Sequence, residues 1–110
     1  MEINIKTIND VKIAAIKGDI DASTAPLVSK EVLPLVEPGK KMILDMTEVP
    51  YMSSAGLRVL LSLYRQTSTK EGTLLLVGLN EEVQDTMSVT GFLEHFQINN
   101  TLEEALAAKV

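Results

Sequence analysis

The sequence predicts an α/β sandwich in which a mixed sheet carries its helices mainly on one face. Three observations carry that prediction. The chain opens with two alternating runs around Asn9-Asp10, two later runs (KMILDM and TLLLVGL) are apolar almost throughout, and apolar residues between and after them recur at helical spacing. Alternation marks a strand with one wet face, unbroken apolar runs mark strands inside a covered sheet, and the i, i+3, i+4, i+7 spacing marks an amphipathic helix.

Taken in order, EINIKTI and VKIAAIKG place Ile3 and Ile5, then Val11, Ile13 and Ala15, on alternate positions either side of Asn9-Asp10. That pattern predicts an antiparallel hairpin. GDIDASTAP is dense in Asp, Ser and Thr, whose side chains accept from the unpaired N–H groups of a first helical turn, and Pro26 is tolerated in that turn. Val28, Val32 and Leu35 continue the helix until Pro34 ends or kinks it near Leu33. EPGKK closes it, and KMILDM is a buried strand. After the connection YMSSAG, Leu57, Leu60, Leu61 and Tyr64 form the apolar stripe of a second helix. TLLLVGL is the next strand, bounded by Gly72 and Asn80. Asn80 caps a third helix through Val83 and Met87, with Gly91 as its stop. FQI is a short edge strand, and Thr101 with Glu104 forms the capping box of a small terminal helix.

The chain has 110 residues, the length of a single domain, 1–110, which buries roughly 60 to 70% of its unfolded surface. With 45% hydrophobic and 23% charged residues it has the composition of a globular protein. No apolar run approaches the roughly 20 residues of a membrane span, so no membrane insertion is expected. MEINIKTIND shows no export leader, and cytoplasm is the expectation. The absence of cysteine removes disulfides and thiolate chemistry. A net charge of −5 opposes contact with nucleic acid and points to a protein partner, one with a basic face.

YMSSAG lies at the C-terminal end of a strand and the start of a helix, where such sheets place ligands and partners. Ser53 and Ser54 admit three readings. As N-caps, either hydroxyl accepts a first-turn N–H, but Gly56 then sits in a helical turn at a cost a cap does not require. As nucleophiles they need a base; His95 is the only histidine, LEHFQ places it at a solvent edge, and the G-x-S-x-G elbow is absent. No enzyme is expected. As a modification site, a seryl phosphate at a helix N-terminus meets unpaired N–H groups and the positive end of the helix dipole. Asp19 and Asp21 fit helix caps better than a metal site, and neither metal nor cofactor is expected.

GDIDASTAP, LDMTEVPYMSSAGLRVLL, LLLVGLNEEVQDTMSVTGFLEHFQI and a closing EEAL follow one another along nearly the whole chain. In that order and spacing they resemble the STAS domains of anti-sigma-factor antagonists. The resemblance implies a sheet of four or five strands with about four helices mainly on one face. It implies a non-enzymatic protein that binds a serine-kinase anti-sigma factor when unphosphorylated, releases it when phosphorylated, and is reset by a serine phosphatase. The family's acceptor follows an aspartate in an Asp-Ser-Ser/Thr-Gly stretch. Matching Gly56 to that glycine puts Ser54 at the acceptor, Ser53 at the aspartate and Ala55 at the second hydroxyl residue. Asp21 matches an acidic residue beside the phosphoserine. Ser53 in place of the aspartate adds a competing hydroxyl next to Ser54. On this reading Asp21, Ser53, Gly56, Leu57 and Arg58 shape the docking surface, while Leu60, Leu61 and Tyr64 serve the core. The same module also serves switches in secretion or phosphatase signalling, and as a subunit of ABC lipid transporters it needs no kinase.

Overall fold

The computed structural model of the protein describes residues 1–109. Strands β1 (Glu2–Ile8) and β2 (Val11–Lys17) form the expected antiparallel hairpin, with Ile8 opposite Val11. Asn9 and Asp10 between them both adopt positive φ, 52° and 66°. This is the two-residue turn whose twist matches that of its strands. Strands β3 (Lys41–Glu48), β4 (Thr73–Val77) and β5 (Gln97–Asn99) extend the sheet in parallel, in the order β1-β2-β3-β4-β5.

Helix α1 (Ala25–Val32) joins β2 to β3, α2 (Ser54–Thr69) joins β3 to β4, and α3 (Glu81–Val89) joins β4 to β5. Each crossover steps one strand along in the same direction. With the common right-handed sense of such units, all three helices fall on the same face. As its sequence predicts, α1 stops at Pro34, where a 3₁₀ turn (Leu33–Leu35) replaces it. Asn80 Oδ1 accepts from the Val83 N–H at 2.7 Å, and Gly91 follows α3 with φ +77°.

Alternation along the central strands sorts two cores. Ala14, Ile16, Leu44, Met46, Leu74 and Leu76 meet α1, α2 and α3 with Val28, Val32, Leu60, Leu63, Val83 and Met87. Ile13, Ile43, Leu75 and Val77 face the other way, onto Ala105 of a terminal helix α4 (Leu102–Ala107). Both faces of β3 and β4 are therefore dry, which is why their sequences lack alternation. Lys41 fixes α4 in place. Its ammonium donates to the carbonyls of Ala105, Leu106 and Ala108 at 2.8, 2.8 and 2.9 Å, capping the C-terminal end of that helix.

One packing expectation is corrected. On α2 the buried residues are Gly56, Leu57, Leu60, Leu63 and Thr67, with Tyr64 packed at the margin, while Leu61 is only half-buried and stands apart from both cores. Thr67 is tolerated at an inward position because its hydroxyl donates to the Leu63 carbonyl at 2.6 Å.

Candidate functional site

The site is built where β2 and β3 run out at the C-terminal edge of the sheet. Their pairing continues through the loops. Gly18 N–H donates to Glu48 C=O (3.0 Å), Ile20 N–H to Tyr51 C=O (3.0 Å) and Ser53 N–H to Ile20 C=O (2.9 Å). Ile20 and Met52 bridge in parallel and are both buried. Asn80, besides capping α3, donates from Nδ2 to Pro50 C=O at 3.0 Å. Three strand-to-helix connections are thus fastened to one another, and the start of α2 is held by backbone bonds on its flank.

The two serines have different environments. Ser53 is the N-cap of α2, extended at φ −85° and ψ −179°, and its Oγ accepts from the Ala55 N–H at 3.2 Å. Ser53 C=O accepts from Leu57 N–H at 3.0 Å, opening the helical ladder. Ser53 is half-buried, whereas Ser54, the first helical residue, is exposed. The cap is therefore supplied by Ser53, leaving the Ser54 hydroxyl on the surface above the unpaired N–H groups of the first turn.

Asp21 lies one residue beyond Ile20, whose carbonyl receives Ser53. Its side chain serves its own turn: Oδ1 accepts from Ser23 N–H (2.9 Å), Ser23 Oγ (2.6 Å) and Thr24 N–H (3.2 Å). The Ser23 hydroxyl, then the amides of Ser23 and Thr24, hold this carboxyl below its ordinary value near 3.8 by favouring the ionised form. Thr24, the formal N-cap of α1, makes no capping bond with its side chain; its hydroxyl donates instead to Asp19 C=O at 2.8 Å. The dense Asp/Ser/Thr run folds as a linked turn ahead of α1, and Asp21 does the capping expected there.

Gly56 and Leu57 are both buried, so neither side presents itself to a partner. A Cβ on Gly56 would overlap Met52 Cγ, stand 2.7 Å from the Ile20 carbonyl and 3.0 Å from Ile20 Cγ2. The glycine is there for close approach: it lets α2 lie against the β2–α1 loop. Leu57, expected to flank the docking surface, packs into the core instead, because it falls on the helix side facing Ile20 and Met52. Arg58 is exposed.

The edge therefore exposes Ser54 and Arg58, with Asp21 and Ser53 half-buried beside them and Tyr51 47% exposed. Sequence reasoning missed Tyr51, the buried pair Ile20 and Met52, and the tie from Asn80. Only Tyr51 left a signal, as an aromatic residue inside a turn. His95 stands elsewhere. Its ring lies 5.5 Å from that of Tyr64, ten residues along α2 from Ser54, or about 15 Å at 1.5 Å per residue. No cluster of three metal-ligating side chains occurs among the described residues, and no described helix is long and apolar enough to cross a membrane.

The STAS domain model matches residues 2–105. The chain is 32% identical over 109 residues to the Bordetella bronchiseptica protein BtrV, described as a candidate anti-sigma factor antagonist; the match covers 98% of this chain and 94% of that protein. It is 36% identical over 87 residues to the anti-sigma-B factor antagonist of Listeria monocytogenes, covering 77% and 75%. A Thermotoga maritima crystal structure, described as a candidate anti-sigma factor antagonist, superposes with a TM-score of 0.86 over 94% of this chain and 91% of that one. At 24% identity that last likeness speaks for the fold alone.

Proposed function

The chain belongs to the STAS domain family, and from that premise we propose that it is a partner-switching anti-sigma-factor antagonist whose switch is a phosphate on Ser54. In the cytoplasm the unphosphorylated protein binds a serine-kinase anti-sigma factor. The kinase phosphorylates Ser54 and lets go, and a serine phosphatase resets the cycle. The observation that carries this reading is the division between the two serines: Ser53 is occupied as the cap, and Ser54 is exposed at the head of α2. It favours Ser54 over its neighbour as the acceptor.

The physical logic is local. A phosphoserine brings about −1.5 to −2 charges, which the helix N-terminus tolerates in the free protein. In a closed interface the same dianion must be stripped of water, at an effective cost of several kcal/mol. Turning a complex from almost wholly bound to almost wholly free needs about 5.5 kcal/mol, which is within reach of that cost. Asp21, Ser53 and Arg58 border the contact; Gly56 and Leu57 contribute by setting where α2 begins.

The test pairs mass spectrometry with binding. Protein isolated from its own cells, with and without stress, gains one phosphate on Ser54. Ser54→Ala binds the kinase permanently, and Ser54→Asp binds about tenfold more weakly or worse. Equal kinase binding by the two variants would place the switch elsewhere. No phosphate under any condition, together with full function of Ser54→Ala and copurification with a membrane ATPase, would select the transporter-subunit role instead.

A further inference from the structure

We propose that Arg58 is the internal counter-ion of the Ser54 phosphate, so that the modified protein holds its own phosphate against α2. The inference rests on Ser54 as the acceptor and adds to it a receiving group within the same chain.

Ser54 and Arg58 are i and i+4 on one helix, and both are exposed. Helical side chains lean toward the N-terminus, so the side chain at i+4 reaches back over the residue at i. An anion followed four residues later by a cation is also the favourable order for such a pair, and the anion stands at the positive end of the helix dipole. Before phosphorylation Arg58 has no helical partner. Its neighbours at three and four residues are Ala55, Ser54, Leu61 and Ser62, and α2 contains no acidic residue at all. The ion pairs found among the described residues belong to Lys12 and Lys40. A phosphate on Ser54 would be the first anion within reach on that face, and a guanidinium offers it a planar fork of donors.

Charged groups on the adjoining loops do not substitute for Arg58. Asp19 and Asp21 on the β2–α1 loop, Glu48 at the end of β3, and Glu81 and Glu82 in the first turn of α3 are carboxylates, which oppose the dianion, and Asp21 is engaged with Ser23 and Thr24; Lys17, the cation at the end of β2, stands in register with Glu48. Arg65 shares the helix but lies eleven residues from Ser54, about 16 Å at 1.5 Å per residue. That exceeds the screening length of about 8 Å at physiological ionic strength. Phosphorylation therefore changes two things at this edge at once: it adds a dianion and withdraws an arginine that was open to a partner.

The test uses the whole chain with phosphoserine incorporated at position 54 during translation, so its outcome is independent of any kinase. Whether cells modify Ser54 is decided separately by mass spectrometry. Phosphorus NMR then follows the second ionisation of the phosphate, which in a free phosphoserine falls near pH 6. Arg58→Gln raises that midpoint by about 0.2 to 0.4 of a unit, the equivalent of one i,i+4 ion pair. Arg65→Gln leaves it where it was. Identical titrations of the native and Arg58→Gln proteins, or equal shifts from the two arginine variants, would overturn the assignment. Both arginines are exposed on α2, and circular dichroism of each variant establishes that the helix is intact before titration.

Discussion

Replacing Gly56 with alanine tests the construction of the site most directly, because two effects of opposite sign meet there. On helix propensity alone the change stabilises, by up to about 1 kcal/mol. The structure sets against this a Cβ that overlaps Met52 Cγ and stands 2.7 Å from the Ile20 carbonyl. The methionine is flexible and can move. The carbonyl is backbone, and it holds the Ser53 N–H at 2.9 Å. Overpacking of this kind costs about 1–3 kcal/mol, and loss of the Ile20–Ser53 bond adds about 1 kcal/mol. Against the propensity gain, the net is a destabilisation of about 1–3 kcal/mol. For a domain of this size that lowers Tm by about 5–15 °C. Thermal unfolding followed by circular dichroism reads the loss, and hydrogen exchange at the Ser53 amide locates it, since that amide loses protection first. An unchanged or higher Tm, with the Ser53 amide still protected, would refute the close-approach account and leave Gly56 an ordinary helix glycine.

Three further outcomes follow from the same edge. Ser53→Ala removes the cap of α2 and lowers stability by about 1 kcal/mol. Ser54→Ala, which touches no capping bond, stays within about 0.5 kcal/mol of the native protein, so a urea midpoint for each variant separates cap from acceptor. Asp21 titrates below its ordinary value near 3.8 because its ionised form is hydrogen-bonded in the folded turn. The sign follows: its contribution to stability is complete above the ordinary carboxylate range and is lost as pH falls through the depressed value. A carbon NMR titration shows that depression, and Ser23→Ala, which removes its largest cause, returns the midpoint toward the ordinary value; an ordinary midpoint in the native protein would mean the turn is not formed.

Much of the fold was legible because it is local. Asn9-Asp10 between alternating runs, Pro34 at the end of α1, and Asn80 and Thr101 as caps are each decided within a few residues of chain, where backbone sterics and short-range hydrogen bonds act. The apolar runs of β3 and β4 likewise announced strands covered on both sides. The sequence was silent on what covers the second face, since the Lys41 ammonium and the α4 carbonyls it caps are more than sixty residues apart. Periodicity also misplaced Leu61, because an inward Thr67 that satisfies its own hydroxyl cannot be told from a surface threonine by hydropathy.

At the candidate site the same boundary holds. The sequence by itself determined that a serine pair stands at a helix start after a buried strand, with a glycine behind it and an acidic turn elsewhere in the chain. Only the tertiary structure decided which serine is spent on the cap, that Gly56 exists for the Ile20 carbonyl, and that Leu57 points inward and not onto the docking surface. These depend on how α2 is rotated and how closely it lies against the β2–α1 loop. Rotation and separation are set by packing between segments distant in sequence, and no local pattern encodes them.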